Sequence, residues 1–136
     1  MLANRSMPRC TVIPVLAYPN VTEAIDWLCG AFGFTVRLRI ANHRAQLNAG
    51  DGAVVLTEQR VAGVQASHSV MVRVENVDRH YEQASRHGAR LLLPPSDHPY
   101  GGRQYSVEDL AGHAWTFSQS IADVDPREWG GTQGDL

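Results

Sequence analysis

The fold is decided by the stretch VIPVLAYPNV at residues 12–21, because VMVRVENV at residues 70–77 repeats its pattern about halfway along the chain. Each stretch is a short β-rich run that leads to an asparagine, a residue that caps helix N-termini well. Apolar residues at helical spacing follow in both places, and the two runs end at Gly33 and Gly88, as helices commonly do. The chain therefore contains two copies of one structural unit.

The remainder of each copy predicts three further strands, so both units are βαβββ modules. In the first, residues 36–40 alternate apolar and basic, and a Gly-Asp-Gly hairpin signal at 50–52 separates the next two runs. The first module spans about residues 11–59 and the second about 68–119, with a polar connector at 60–67 and a tail at 120–136. A single domain, 1–136, is expected because each half alone is short for a stable core. The Pro- and Gly-rich stretch 94–102 predicts an irregular loop at a pocket rim.

Charge and cysteine content exclude several classes of function. The formal net charge is −2, with acidic and basic residues interspersed, so there is no electrostatic footprint for nucleic acid or an anionic membrane. Cys10 and Cys29 have neither metal-ligand nor disulfide-framework spacing, which favours reduced thiols over the alternative of a single disulfide bridge. The sequence contains no signal-peptide run and no membrane-spanning run. We expect a cytoplasmic protein whose partner is a small molecule.

Two motifs in the second module carry a family resemblance: Tyr100-Gly101-Gly102-Arg103-Gln104-Tyr105 and Asp109-Leu110-Ala111-Gly112-His113-Ala114-Trp115. Together with the βαβββ order and the Asn-Val helix entries, they resemble the vicinal oxygen chelate superfamily, which includes glyoxalase I, extradiol dioxygenases and bleomycin-resistance proteins. The resemblance covers about residues 11–119, although Leu110 stands where this branch commonly has proline. It implies an α+β fold whose two modules form an eight-stranded, U-shaped mixed sheet with the ligand on its concave face. It also implies a homodimer.

The same resemblance implies where a metal ion would bind, since metal-dependent members place one His or Glu on each of four strands. Carried onto this sequence, the four positions fall at Ile13 (or Pro14, one residue on), Val55, Ser69 and Thr116. None of these side chains replaces an imidazole or a carboxylate as a ligand. We therefore expect no metal and no cofactor. A one-residue error in register would instead bring His68 into a ligand position, and Glu58 lies three residues beyond Val55, so that alternative stays open.

Strand parity predicts which residues face the groove between the modules. Residues 70, 72 and 74 are all valine and should face the helices, whereas Ser69, Met71 and Arg73 share the other face. His68 has the parity of the valines. Arg73 could clamp a carboxylate or phenolate, or extend into solvent or pair with Glu75. Tyr100, Arg103 and Tyr105 could stack on a planar ligand at the groove mouth. The predicted ligand-binding residues are therefore Val55, Thr57, Ser69, Met71, Arg73, Tyr100, Arg103, Tyr105, Thr116 and Ser118.

Three functions are compatible with this pattern. The leading hypothesis is a metal-independent, homodimeric binding protein of the bleomycin-resistance type that encloses an aromatic or amphipathic compound such as an antibiotic. The second is a metal-dependent lyase, isomerase or dioxygenase of the same superfamily. The third is a metal-free enzyme in which Arg73 polarises a carbonyl group. The remaining histidines lack metal spacing and are predicted to be solvated or turn residues: His43, His80, His87, His98 and His113.

Overall fold

The computed structural model describes residues 2–59, 68–132 and 134, and its helices and strands follow the predicted order. The first module contains β1 (Val15–Tyr18), α1 (Val21–Phe32), β2 (Thr35–Ile40), β3 (Arg44–Ala49) and β4 (Gly52–Glu58). The second contains β5 (Ser69–Arg73), α2 (Val77–Arg86), β6 (Arg90–Asp97), β7 (Gly102–Glu108) and β8 (Ala114–Ser120), and a 3₁₀ turn follows at Pro126–Trp129. The predicted connector at 60–67 lies outside the described residues. Neither helix is long and apolar enough to cross a membrane.

Both helices begin where the repeated Asn-Val pairs predict. The side chain of Asn20 accepts a hydrogen bond from the backbone N–H of Glu23 at 3.0 Å, and that of Asn76 accepts one from Arg79 at 3.1 Å. These bonds satisfy N–H groups that the first turn of a helix leaves without partners. After α1 the chain passes through Gly33 with a φ of 76°, a left-handed conformation that glycine adopts at little cost. Local sequence therefore fixes where each helix starts.

The strands form two four-stranded sheets with the same internal order, β1-β4-β3-β2 and β5-β8-β7-β6. In each sheet the first strand of the module pairs in parallel with the last, and the other pairs are antiparallel. This shared topology confirms the duplication and the α+β class. Within the described residues no strand of one sheet pairs with a strand of the other, so the eight strands are divided between two sheets.

The edge strand β6 is longer than the sequence predicts. The prediction of an irregular loop over 94–102 is wrong for its first half, because β6 continues through Pro94 and Pro95 to Asp97. β6 pairs with β7 on one side and forms the edge of its sheet on the other, where a proline without an N–H interrupts no ladder. Register shifts on both sides of Leu93 accommodate the irregularity. The turn that follows is short, and it is closed by a 2.8 Å hydrogen bond from the N–H of His98 to the carbonyl of residue 102.

Both modules contribute to one hydrophobic core. Phe32, at the end of α1, packs against the rings of Trp115 and Phe117 in β8, with centroid distances of 5.4 and 4.8 Å. Val54 and Leu56 of β4 belong to the same core, as strand parity predicts. Buried aromatic rings supply much of the hydrophobic stabilisation of a domain this small. Because a helix of one module packs on a strand of the other, neither half keeps this core alone.

A buried carboxylate connects β1 to the turn before β8. Asp109 Oδ2 accepts hydrogen bonds from the hydroxyl of Tyr18 at 2.6 Å and from Trp115 Nε1 at 3.0 Å. Its Oδ1 accepts from the backbone N–H groups of Ala111 and His113 at 2.9 and 3.0 Å. Burial, reinforced by the charge of Asp109, raises the pKa of Tyr18 far above its usual range. Four donors surround this acceptor, so the buried carboxylate is well paired.

His80 of α2 forms a second connection between the modules, and it is half-buried. Its Nε2 lies 3.0 Å from the carbonyl oxygen of Phe32, which can only accept, so Nε2 carries the proton. Nδ1 is then the acceptor for the hydroxyl of Tyr105, 2.5 Å away. Burial lowers the pKa of His80, and the bond to Phe32 offsets this effect only in part. The expectation that His80 is a solvated or turn residue is therefore wrong.

Candidate functional site

Each sheet has one face toward the helices and one face away from them. On the second sheet, Val70 and Val72 pack against the core, whereas Ser69, Met71 and Arg73 are exposed, so the predicted parity of β5 is confirmed. We call the outward surface of this sheet the second groove face. By strand register it consists of Ser69, Met71, Arg73, Leu93, Gln104, Ser106, Thr116 and Ser118.

Hydroxyl and amide groups cross the middle of the second groove face. Ser106 and Thr116 stand opposite each other on β7 and β8, and their hydroxyl oxygens are 2.8 Å apart. In the next matching pair, Gln104 Nε2 donates to Ser118 Oγ at 3.1 Å. These bonds hold the side chains in fixed orientations, so the face presents a polar band of defined shape.

Apolar side chains flank this polar band on the outer strands. Met71 of β5 and Leu93 of β6 are each 62% exposed, and they lie on opposite sides of β7 and β8. Arg73, at the end of β5, is exposed and has no ion pair within the described residues. The surface is thus amphipathic, with a cation at its end, and it offers both apolar and hydrogen-bonding contacts to an amphipathic ligand.

An aromatic group adjoins one end of the second groove face. Tyr100 stacks on the ring of His98 with centroids 5.1 Å apart and an interplanar angle of 9°, and it meets Trp129 edge-on at 5.5 Å. The Tyr100 hydroxyl donates to Gln104 Oε1 at 3.1 Å, which connects this group to the polar band. Trp129 is exposed, so a ring remains available to a planar ligand beside the groove.

Two predicted groove residues lie on the helix side of the second sheet instead. Tyr105 is 1% exposed and, with Val107, belongs to the core. Arg103 forms ion pairs with Asp78 of α2 and Asp97 of β6 at 3.0 and 2.9 Å, and these hydrogen bonds raise its pKa. Because side chains alternate along a strand, odd-numbered residues of β7 face the helices and even-numbered residues face the groove. Applying that rule to β7 would have identified the residues that sequence reasoning missed, Gln104 and Ser106.

The N-terminal segment, residues 2–13, lies on the outward face of the first sheet. Arg37 of β2 and Gln46 of β3 hold it there, and Arg37 Nη1 also donates to Gln46 Oε1 at 2.5 Å. Their other hydrogen bonds go to three consecutive backbone carbonyl oxygens of the segment. Arg37 Nη2 donates to Arg5 at 3.1 Å and Met7 at 2.8 Å, and Gln46 Nε2 donates to Ser6 at 2.8 Å. No local pattern in the sequence signals this arrangement, because backbone carbonyls carry no residue identity.

The segment bears on two further predicted ligand-binding residues, Val55 and Thr57 of β4. Val55 stands opposite Gln46 in the register and lies outside the core cluster, so it faces outward as predicted. It is nevertheless only 5% exposed, whereas Thr57 is half-buried. In this chain the two sheets thus differ: the second groove face is open, and the corresponding face of the first is partly covered.

The family's metal positions do not fit a metal ion. Thr116 hydrogen-bonds to Ser106, Ser69 is an exposed hydroxyl, and Ile13 and Val55 have hydrocarbon side chains. Divalent transition metals are held by imidazole, thiolate or carboxylate groups, which these positions lack. In the part of the chain that the structure describes, no three His, Cys, Asp or Glu residues are grouped so as to hold an ion.

His68 and Glu58, the alternative metal ligands, are not accompanied by enough further ligands to hold an ion among the described residues. His68 is exposed, and its ring centroid is 6.4 Å from that of His113. His113 is buried, and its Nε2 lies 2.7 Å from the carbonyl oxygen of Ala17. His113 Nδ1 has no hydrogen-bond partner among the described residues. Glu58 lines a separate depression of about 620 Å³ with Pro19, Asn20, Thr22 and Asn42, which supplies no second carboxylate or imidazole from the described residues.

The duplicated βαβββ architecture defines the class of protein, and comparison with known proteins identifies the family. The profile of the Glyoxalase/Bleomycin resistance protein/Dioxygenase superfamily matches residues 10–117. TioX from Micromonospora sp. ML1 is 34% identical over 80% of this chain and 97% of its own, with a TM-score of 0.68. The chain therefore belongs to this superfamily, which confirms the resemblance found in the sequence. No match was found among curated proteins.

More distant structures share the fold. The bleomycin-binding protein of bleomycin-producing Streptomyces verticillus, solved with copper(II)-bleomycin, is 22% identical over 78% of this chain and 92% of its own, with a TM-score of 0.62. Lactoylglutathione lyase from Agrobacterium tumefaciens is 13% identical over 84% and 96%, with a TM-score of 0.64. Binding proteins and enzymes are thus both built on this architecture, and the fold does not decide between them.

Proposed function

We propose that the protein is a metal-independent binding protein of the bleomycin-resistance type that sequesters an aromatic or amphipathic compound such as an antibiotic. The observation that carries the proposal is the second groove face, where exposed Met71 and Leu93 flank a hydrogen-bonded polar band. A ligand laid across it would bury apolar surface at both sides and meet oriented hydroxyl and amide groups between them. The bleomycin-binding relative of the same fold supports a ligand of this class.

Each part of the face has a role in this proposal. Tyr100 and Trp129 offer ring surface for stacking, and Arg73 offers a cation for an acidic or phenolic group. Ser69, Thr116 and Ser118 supply hydrogen-bonding groups along the strands. On the first sheet Thr57, which is half-buried, remains accessible to such a ligand, whereas Val55 is covered.

The proposal includes a homodimer in the cytoplasm. One open groove face per chain leaves a ligand half exposed, and a second subunit would close it, which is the arrangement the family resemblance implies. Cys10 and Cys29 are both free thiols, as expected for a reducing compartment. Light scattering on the eluting protein, with and without ligand, measures the oligomeric state directly, and a monomer under both conditions would contradict the dimer.

The alternative is a metal-dependent enzyme, and it is favoured by one observation, the proximity of His68 to His113 with an unpartnered Nδ1. Two imidazoles need at least one more ligand to form a catalytic site. Elemental analysis of the purified protein tests this alternative. Stoichiometric zinc, nickel, manganese or iron that is lost in His68→Ala would overturn the metal-independent proposal.

Binding is tested by thermal unfolding against a panel of aromatic natural products that includes bleomycin in its metal-free and copper(II)-loaded forms. A ligand at about 100 times its dissociation constant stabilises the native state by about 2.7 kcal/mol, which corresponds to about 9 °C for a chain of this length. No shift with any compound of the panel would contradict the proposal.

Met71→Glu places a charge at one side of the proposed contact surface without touching the core. We expect an affinity loss of at least about tenfold and an unchanged melting temperature of the free protein, because Met71 is already exposed. Leu110→Glu, in the exposed turn between β7 and β8, makes the same chemical change away from the groove and is the matched control. Equal affinity loss in both variants, or in neither, would mean that the second groove face is not the binding surface.

A further inference from the structure

The N-terminal segment borders a cavity of about 530 Å³ that the proposed function does not use. Its walls are the segment itself and Arg37 of the first sheet, so we call it the N-terminal cavity. Pro8, which is buried, and the partly exposed Met7 and Ile13 give it an apolar side, and Leu2, 96% exposed, stands at its edge. Its volume falls in the range of pockets that bind drug-sized molecules.

The charged side chains among the described lining residues are all positive. Arg5, Arg9 and Arg37 all border the N-terminal cavity, and no carboxylate is found among its described lining residues. None of the three guanidinium groups forms an ion pair within the described part of the chain. This concentration of positive charge occurs in a protein whose formal net charge is −2. Unpaired arginines around an apolar cavity favour a ligand that is itself anionic.

The backbone that borders the N-terminal cavity is anchored to the first sheet. Arg37 and Gln46 together bind three consecutive carbonyl oxygens of the segment, and Pro8 next to them is buried. Arg37 is thereby oriented with one edge of its guanidinium on the segment. The family profile matches from residue 10 onward, so residues 2–9 of the segment lie outside the matched range.

We propose that the N-terminal cavity is a second binding site, for a small amphipathic anion: an apolar or aromatic body that carries a carboxylate, sulfonate or phosphate group. The apolar lining would bury the body, and Arg5 and Arg9 would bind the anionic group, with Arg37 adding to the positive potential. This site is independent of the second groove face, and either can exist without the other.

A matched pair of fluorescent probes tests the charge preference. Anilinonaphthalene sulfonate is an anion, and N-phenyl-1-naphthylamine has nearly the same aromatic body without the charge. In low salt we expect the anion to bind the full-length protein at least about tenfold more tightly, and we expect this preference to fall as salt screens the arginines. Equal affinities for the two probes, or a preference that is insensitive to salt, would overturn the proposal.

Cys10 locates the bound probe, because it borders the N-terminal cavity and is a free thiol. Its alkylation by iodoacetamide, followed by mass spectrometry, should slow at least about fivefold when anilinonaphthalene sulfonate is saturating. Cys29, on α1, is the internal control and should react at an unchanged rate. Probe binding without protection of Cys10, or equal protection of both thiols, would place the probe elsewhere and overturn the proposal.

Arg5→Gln and Arg9→Gln test the arginine side chains directly. The contacts that hold the segment remain, because they use the backbone carbonyl of residue 5 and not its side chain. Each variant should weaken binding of the anionic probe by about threefold to tenfold and leave the uncharged probe unaffected. Arg79→Gln, on exposed α2, makes the same charge change at a distance and should have no effect. Unchanged affinity in both cavity variants, or an equal loss in Arg79→Gln, would refute the assignment.

Discussion

Substitution of Tyr18 by phenylalanine tests the buried connection between the two modules. The ring stays and only the hydroxyl is lost, so packing in a side chain that is 1% exposed is preserved. The lost bond is the 2.6 Å contact to Asp109, and hydrogen bonds to charged groups contribute about 1.5–3 kcal/mol. Asp109 keeps three other donors, so the carboxylate is not left unpaired. We therefore expect the free energy of unfolding to fall by about 2 kcal/mol.

Urea unfolding followed by tryptophan fluorescence measures this change. With a slope of about 2 kcal/mol/M, the midpoint should move down by about 1 M while the slope stays the same. Tyr100→Phe is the matched control, because its hydroxyl bonds a neutral amide at an exposed site, and its effect should stay below about 0.5 kcal/mol. If the Tyr18 variant loses no more stability than the Tyr100 variant, the buried carboxylate does not join the modules in the way described.

Two further perturbations concern stability alone. Burial lowers the pKa of His80 below the 6.5 of a free imidazole, so as the pH falls below about 6.5 the unfolded chain takes up a proton that the folded chain does not. The free energy of unfolding should therefore fall between pH 7 and 5.5. Urea midpoints at the two pH values should show a smaller loss of stability in His80→Gln than in the wild-type protein, and equal losses would contradict the burial argument. Gly101→Ala should cost at least about 3 kcal/mol, because at φ 87° its Cβ would lie 2.2 Å from a backbone oxygen. Gly50→Ala, at φ 62° with no atom within 4 Å, should cost only about 1 kcal/mol in the same urea assay, and similar costs for the two variants would count against the clash.

Much of the fold follows from local sequence. Asn20 and Asn76 mark the helix starts because capping is decided within one turn, and the alternation of β5 assigns its two faces because a strand has a period of two. The course of β6 through Pro94 and Pro95 could not be predicted from local sequence. A strand accepts proline there only because β6 lies at the edge of its sheet. That position is a property of the sheet and cannot be read from the residues of one strand.

The candidate site was predictable only in part, for similar reasons. Met71 and Thr116 face the groove as strand parity predicts, whereas Arg103 and Tyr105 were assigned from residue type and face the helices. The position of the N-terminal segment depends on Arg37, which reaches residues about thirty positions earlier in the chain. Such contacts have no local signature, so parity can assign the face of a strand but cannot reveal what covers it.

The way the N-terminal segment is held also bears on how this protein can diversify. Arg37 and Gln46 bind backbone oxygens that every amino acid possesses, so substitutions at residues 5–7 leave the anchoring bonds available. The position of the segment and the chemistry of the side chains around the N-terminal cavity are therefore encoded at different residues. Mutation could change the side chains that border the cavity, one at a time, while the segment keeps its place on the sheet.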